Sequence, residues 1–215
     1  MHPTAMVKDG YWYSLPLILI GGGLLGFGFF WPGKFFFFAA AIFFAFALFV
    51  LNFFRDPERL VPSGPGVIVS PADGRVVEIR SEEKTGRACQ RISIFMSPFN
   101  VHVNRSPVAG RIESMVYRKG SFRMASEPRA SVENECNTFT VAGENGEVVV
   151  RQIAGVLARR IVFWKKIGDY VGRGDRVGMI KFGSRVEILL SPDVVLSVKI
   201  GDHVKAGSTI IGIRR

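Results

Sequence analysis

Two uncharged apolar runs open the chain: residues 15–31, rich in Leu, Ile and Gly, and residues 35–54, rich in Phe and Ala, divided only by Pro32-Gly33-Lys34. Each is about the length a helix needs to cross roughly 30 Å of hydrocarbon. A secretory signal has a shorter apolar core and a small-residue cleavage site, whereas here a second run follows at once. Residues 1–54 are therefore expected to form a membrane-anchoring helical hairpin. A re-entrant hairpin is the alternative, because the first run is short and glycine-rich.

After residue 54 the pattern changes. Residues 55–66 carry three prolines and two glycines and read as an extended linker. From residue 67 to 215 the apolar positions fall in short β-rich runs separated by Gly, Pro and Asp: 67–69, 75–79, 91–95, 111–117, 138–141, 148–153, 160–164, 176–180, 186–190 and 196–200. No segment keeps a helical period, so an all-β barrel or sandwich is expected. The stretch Ile167-Gly-Asp-Tyr-Val-Gly-Arg-Gly174 recurs as Ile200-Gly-Asp-His-Val-Lys-Ala-Gly207, and Ser70-Pro-Ala-Asp-Gly-Arg-Val76 recurs as Ser106-Pro-Val-Ala-Gly-Arg-Ile112. These repeats resemble the hairpin halves of the biotinyl/lipoyl-like barrel-sandwich, in which glycines make the corners.

One break in the alternation stands apart. The strand-like run from Val177 reaches a lone Gly183-Ser184 and then resumes as Val186, Ile188, Leu190, which predicts a bend or a close backbone approach. Gly183 lacks a Cβ and leaves its carbonyl open to attack, and Ser184 supplies a hydroxyl beside it. Taken alone, the pair also reads as an ordinary turn.

Charge bears on location. The chain carries 28 Lys and Arg against 18 Asp and Glu, a net +10; residues 1–54 hold only Lys8, Asp9 and Lys34, leaving +9 to the rest. Arg55 and Arg59 follow the second apolar run directly, so the positive-inside tendency puts residues 55–215 on the cytoplasmic face of the cell membrane. A basic domain tethered there meets an anionic membrane surface more simply than nucleic acid, and no nucleic-acid role is expected. The segment from Arg159 to Lys166, with Trp164 among cations, reads either as a lipid-facing patch or as a buried strand with solvated ends. Cys89 and Cys136, the only cysteines, read as reduced thiols.

Chemistry-bearing residues are few. His2 lies in the tail, and His203 occupies a repeat turn where Tyr170 stands in the other copy. His102 lies between two Ser-Pro turns and is either structural or the proton carrier suited to neutral pH. Asp73, in Pro71-Ala-Asp-Gly74, is a turn residue that would orient and charge-stabilise an imidazole if it faced one. No metal-ligand cluster and no phosphate-binding glycine loop is present. A carrier domain of the lipoyl or biotinyl kind would modify a lysine such as Lys181 at a hairpin tip, but Phe182 follows it and turn residues do not. A membrane-fusion adaptor would need long heptad helices, which the sequence lacks.

In combination, Pro71-Ala-Asp-Gly74, Met96-Ser-Pro-Phe-Asn-Val-His102, Glu133-Asn-Glu135 and Phe182-Gly-Ser-Arg-Val186 resemble the phosphatidylserine decarboxylase proenzymes, particularly the short form common in archaea and many bacteria. The resemblance covers residues 50–215. It implies that Ser184 attacks the Gly183 carbonyl, that the chain cleaves itself into 1–183 and 184–215, and that the two chains stay associated. It further implies a covalent pyruvoyl cofactor derived from Ser184, which forms a Schiff base with phosphatidylserine and releases carbon dioxide and phosphatidylethanolamine. By the same resemblance His102 transfers protons in decarboxylation and Asp73 belongs to the processing relay. Longer members carry a second histidine three positions after the first, where this chain has Arg105, so the identity of the processing base stays open. Oligomeric state is not read from the sequence, a homodimer being one option.

Overall fold

The computed structural model describes residues 6–31, 33–84, 87–124, 127, 129–144, 146–155, 160–181 and 184–214. The chain divides into two compact units, Met1–Glu58 and Arg59–Arg215.

In the first unit the two apolar runs form helices α1 (Lys8–Phe30) and α2 (Lys34–Phe53), of 23 and 20 residues. At 1.5 Å per residue they extend about 35 and 30 Å, enough to cross a bilayer. Two glycines of α1 serve the packing between them. A Cβ at Gly21 would lie 3.2 Å from the Phe44 ring, and one at Gly28 would lie 3.2 Å from the Phe36 Cβ. Gly21 and Gly28, two turns apart, thus admit the phenylalanines of α2, as small residues do between apolar helices that share no hydrophobic driving force, while Gly22, Gly23 and Gly26 have no neighbour there.

The second unit is built almost wholly of strands. In chain order they are β1 (Val67–Val69), β2 (Gly74–Lys84), β3 (Arg87–Met96), β4 (Val103–Arg105), β5 (Gly110–Arg118), β6 (Cys136–Gly143), β7 (Gly146–Ala154), β8 (Arg160–Phe163), β9 (Tyr170–Val171), β10 (Arg176–Lys181), β11 (Ser184–Leu190), β12 (Val194–Leu196), β13 (His203–Val204) and β14 (Ile210–Arg214), with one short helix, α3 (Ala130–Glu133), before β6. They form an eight-stranded sheet, β13-β2-β3-β11-β7-β6-β5-β9, and two three-stranded sheets, β1-β14-β12 and β4-β10-β8. The core lies on the face lined by alternate residues of these strands, among them Ile92 and Ile94 of β3, Val148 and Val150 of β7, and Val186, Ile188 and Leu190 of β11.

The sequence repeats become a pseudo-two-fold. Gly207 N–H donates to the Ser70 carbonyl and Gly174 N–H to the Ser106 carbonyl, each at 2.8 Å. Val76 N–H donates to Asp202 O and Ile112 N–H to Asp169 O, each at 2.9 Å. The Ser70 hydroxyl reaches Ala72 O and the Ser106 hydroxyl reaches Val108 O, both at 2.7 Å. The pairing β2–β13 (Arg75 with His203, Gly74 with Val204) matches β5–β9 (Arg111 with Tyr170, Gly110 with Val171). The equivalent glycines Gly174 and Gly207 have φ of +81° and +73°, the left-handed region that a side chain disfavours.

The two halves are not consecutive. One runs unbroken from β4 to β10; the other consists of β1 to β3 resumed at β11 to β14, so the first is inserted into the second. In the inserted half, β6 and β7 close as a hairpin at Gly143 and Gly146. In the host half the corresponding hairpin is open at its tip, where Met96 of β3 pairs with Ser184 of β11. Everything between them is the inserted half.

One expectation is modified. The strand expected at 196–200 is only β12, because Lys199 N–H donates to the Asp202 carboxylate at 3.0 Å and Gly201 turns with φ +99°, leaving Ile200 exposed. Lys181 is the last residue of β10, buried and laddered to Arg160, which is not the exposed hairpin tip a carrier lysine needs. The 160–164 run forms β8 with half-buried apolar residues and an exposed Trp164, while Arg159 lies outside the described residues.

Candidate active site

Ser184 opens β11, at the point where the chain has left the β4-β10-β8 sheet at Lys181 and enters the eight-stranded sheet. Gly183 and Phe182 lie outside the described residues. Ser184 is fully buried, with Met96 of β3 as its ladder partner on one side and Ala154 of β7 on the other. Its hydroxyl lies 3.3 Å from the Met96 sulfur. A thioether only accepts, so the hydroxyl donates to it and the oxygen lone pairs point elsewhere.

His102 is also fully buried and sits just before β4, whose register places it beside Ile180 of β10; Ile180 N–H donates to the His102 carbonyl at 3.4 Å. The preceding Ser97–Asn100 turn is tied by Asn100 Oδ1, which accepts from Ser97 N–H at 2.8 Å and from the Ser97 hydroxyl at 2.9 Å. The Asn100 carbonyl lies 2.9 Å from His102 Nδ1. A carbonyl cannot donate, so Nδ1 carries the proton and the lone pair of the neutral ring is on Nε2. One residue thus shapes the turn with its side chain and sets the tautomer of the imidazole with its backbone. The same turn leaves Phe99 exposed.

Three buried amides that the sequence reading passed over converge on Met96. Asn137 Nδ2 donates to Gln152 Oε1 at 2.9 Å, Gln152 Nε2 donates to Asn104 Oδ1 at 2.8 Å, and Asn104 Nδ2 approaches the Met96 sulfur at 3.9 Å. They come from β6, β7 and β4, so each looks in sequence like an ordinary polar position of its own strand.

Asp73 stands at the corner leading into β2, whose Arg75 pairs with Phe95. A Cβ on Gly74 would fall 2.2 Å from the Phe95 carbonyl oxygen, which is why glycine follows the aspartate. The corner lies at the same end of the sheet as Ser184, two strand spacings or about 10 Å away, with β3 between. The Asp73 carboxylate accepts from one nitrogen of Arg59, Nη2, through both its oxygens at 2.8 and 3.0 Å, and from the Ala206 N–H at 2.8 Å. The structure therefore brings Ser184 together with Met96, and Asp73 together with Arg59. Arg105, at the second-histidine position, donates to the Gly174 carbonyl at 3.0 Å.

On the other face of β11, Glu187 is fully buried and receives the Ser131 hydroxyl at 2.5 Å, Arg151 at 2.8 Å and Arg91 at 3.3 Å. Arg185, nearly as buried, donates to the Ser131 hydroxyl at 3.1 Å; burial pushes its pKa down, partly opposed by the Glu187 charge. The Glu133-Asn-Glu135 match acquires a role here. Asn134 Nδ2 donates to the Ala154 carbonyl at 2.7 Å and Ala154 N–H to the Glu135 carbonyl at 2.9 Å, so this segment secures the residue that flanks Ser184. Two surface cavities of about 160 and 610 Å³ open around Gly143 and Glu144, in the inserted half, and neither is lined by Ser184 or His102.

A buried serine hydroxyl that begins a central strand can perform acyl chemistry on a neighbouring backbone carbonyl, and a histidine of fixed tautomer can carry protons. The sequence profile described as phosphatidylserine decarboxylase matches residues 46–212. The chain is 51% identical over 168 residues to the phosphatidylserine decarboxylase proenzyme of Solibacter usitatus, covering 78% of this chain and 80% of that one. It is 45% identical over 169 residues to that of Desulfotalea psychrophila, with 76% and 78% covered. With that of Geobacter metallireducens it shares 40% identity over 213 residues, 98% of this chain and 97% of the relative.

Proposed function

Because this chain belongs to the phosphatidylserine decarboxylase family, we propose that it is a self-cleaving proenzyme whose Ser184 becomes the catalytic pyruvoyl group. It converts phosphatidylserine to phosphatidylethanolamine and carbon dioxide. The observation that carries the processing reading is the place of Ser184, a fully buried hydroxyl on the first residue of a central strand where the chain passes between sheets.

In the uncleaved chain the Ser184 hydroxyl adds to the Gly183 carbonyl carbon, and the Gly183–Ser184 C–N bond breaks to leave an ester and a free amine. Elimination across the Cα–Cβ bond of residue 184 expels residues 1–183 with a new carboxylate. The dehydroalanine left at position 184 takes up water and loses ammonia, which yields the pyruvoyl group. That group supplies a carbonyl to take up the substrate amine and an electron sink for the pair left by carbon dioxide. His102 Nε2, having taken up a proton from solvent, delivers it to the substrate carbon once carbon dioxide has left, its ring held by the Asn100 carbonyl. Asp73 acts in processing from across β3, its carboxylate anchored by Arg59 and the Ala206 N–H.

The duplicated hairpin corners and their matched hydrogen bonds support a biotinyl/lipoyl-like barrel-sandwich for residues 67–215, following a hairpin at 1–54 and a linker at 55–66. The positive charge following α2 supports a cytoplasmic domain at an anionic surface, where a two-chain lipid need not leave the bilayer. Exposed Phe99, three residues before His102, gives the site an apolar lip suited to acyl chains. After cleavage, β11 remains laddered to β3 and β7, and β14 to β1, which supports lasting association of 1–183 with 184–215.

Denaturing electrophoresis with intact mass tests the reading. Wild type yields two chains, the smaller ending at Arg215 with a blocked N-terminus, and Ser184→Ala stays whole and inactive. An uncleaved, active wild type would overturn it.

A further inference from the structure

We propose that Met96 is a positioning residue for self-cleavage: its thioether holds the Ser184 hydroxyl in the uncleaved chain, and the amide relay Asn137–Gln152–Asn104 holds the thioether. The inference rests on the reading of Ser184 as the attacking group.

The donors fix the polarity of the arrangement. Sulfur accepts only, so both the Ser184 hydroxyl at 3.3 Å and Asn104 Nδ2 at 3.9 Å point their hydrogens at it. Asn104 must then turn its oxygen toward Gln152, and Gln152 its oxygen toward Asn137, as the 2.8 and 2.9 Å contacts require. A methionine alone would specify little, since three rotatable bonds let it fill any gap. Pinned by an amide whose own orientation is fixed, it becomes a defined acceptor.

A weak acceptor suits this task. A carboxylate or a carbonyl would orient the hydroxyl as well but would compete for its proton with whichever base removes it, whereas a thioether orients the O–H and yields it readily.

Packing does not require these polar groups. Met96, Asn104 and Gln152 are fully buried and Asn137 nearly so, beside a core of Val, Ile and Leu. The relay is closely packed: a Cβ on Gly178 of β10 would lie 2.4 Å from the Val162 carbonyl oxygen and 3.2 Å from Gln152 Nε2. The relay joins β6 and β7 of the eight-stranded sheet to β4 of a three-stranded one and ends at the open hairpin tip, which ties the inserted half to the pair Met96–Ser184.

The test follows self-cleavage of the full chain in detergent and, separately, turnover of phosphatidylserine per cleaved chain. Met96→Leu keeps volume and removes the acceptor, and is expected to slow cleavage by about tenfold more than it slows turnover per cleaved chain. Asn104→Ala is expected to slow cleavage likewise but to add less than about twofold in the Met96→Leu background, the non-additivity of groups acting as one. Thermal unfolding of each change in the Ser184→Ala precursor, within a few degrees of the parent, shows that folding is retained; if Met96→Leu does not fold, the cleavage-to-turnover ratio of Asn104→Ala decides. Cleavage of Met96→Leu at the wild-type rate, equal losses in cleavage and turnover, or fully multiplicative effects of the two changes would overturn the proposal. Failure of the wild type to cleave would instead remove the Ser184 reading on which it rests.

Discussion

Replacing Glu187 with glutamine tests how the strand that carries Ser184 is held. The carboxylate is fully buried and takes Arg151 at 2.8 Å, Arg91 at 3.3 Å and the Ser131 hydroxyl at 2.5 Å. Glutamine keeps the shape and removes the charge. Arg91 retains Glu78 at 3.3 Å and Glu82 at 3.1 Å, but Arg151 and the buried Arg185 lose the carboxylate that offsets their desolvation. Removing one partner of a buried pair costs 3–5 kcal/mol, and because Arg91 is compensated the lower end applies, about 3 kcal/mol. For a domain of this size each kcal/mol moves Tm by 2–4 °C, so Glu187→Gln is expected to lower it by about 6–12 °C. Thermal unfolding by circular dichroism, with both proteins in the Ser184→Ala background so that one uncleaved chain unfolds, gives the comparison. A fall below about 2 °C would refute the reasoning and make the cluster a solvated surface network.

His102→Ala is expected to lower turnover per cleaved chain by about 10²–10⁴-fold, the loss of a general acid–base group, measured by carbon dioxide release. If cleavage persists in that variant, the histidine serves only decarboxylation; if it stops, the histidine serves both steps; undiminished turnover per cleaved chain would exclude it from decarboxylation. The Tyr117 hydroxyl is pushed up to about 12, first by burial and then by its hydrogen bond to the Glu135 carboxylate. A pKa raised on folding contributes stability fully present below pH 10 and lost as the pH rises through 12, and with Tyr117 half exposed that contribution is small. Absorbance titration of the tyrosines is expected to show one late ionisation that moves toward 10 in Glu135→Gln; an unmoved midpoint would break the pairing.

The repeats were legible in the sequence because their corners depend on local chemistry. Gly168 and Gly201 take φ of +92° and +99°, and Asp169 and Asp202 each accept the N–H three residues earlier, so the same letters had to recur. Ser184 and His102 were legible through neighbouring residues for a similar reason, each sitting in a short distinctive stretch. The relay was not, since Asn104, Gln152 and Asn137 meet only through the register of three strands and their partner is a methionine that reads as core. Nor was Glu187. Strict alternation with Val186 and Ile188 sends it to the outer face, which Ser131 of α3 covers together with Arg91 and Arg151 of the flanking strands. The insertion of one half within the other was invisible too, because the repeats announce a duplication without saying which strands pair across it.

The enclosure of β11 between β3 and β7 has a bearing on the working life of the molecule. A dissociable cofactor that is damaged can be exchanged from solution. On the proposed reading the reactive group would be the first residue of a strand laddered on both sides, and could not be replaced without unfolding the sheet. A single misplaced proton, delivered to the wrong carbon so that the amine stays on the enzyme, would end that copy for good. On that reading each chain would make its reagent once, and the fidelity of proton delivery would set how many turnovers it completes before the cell must synthesise another.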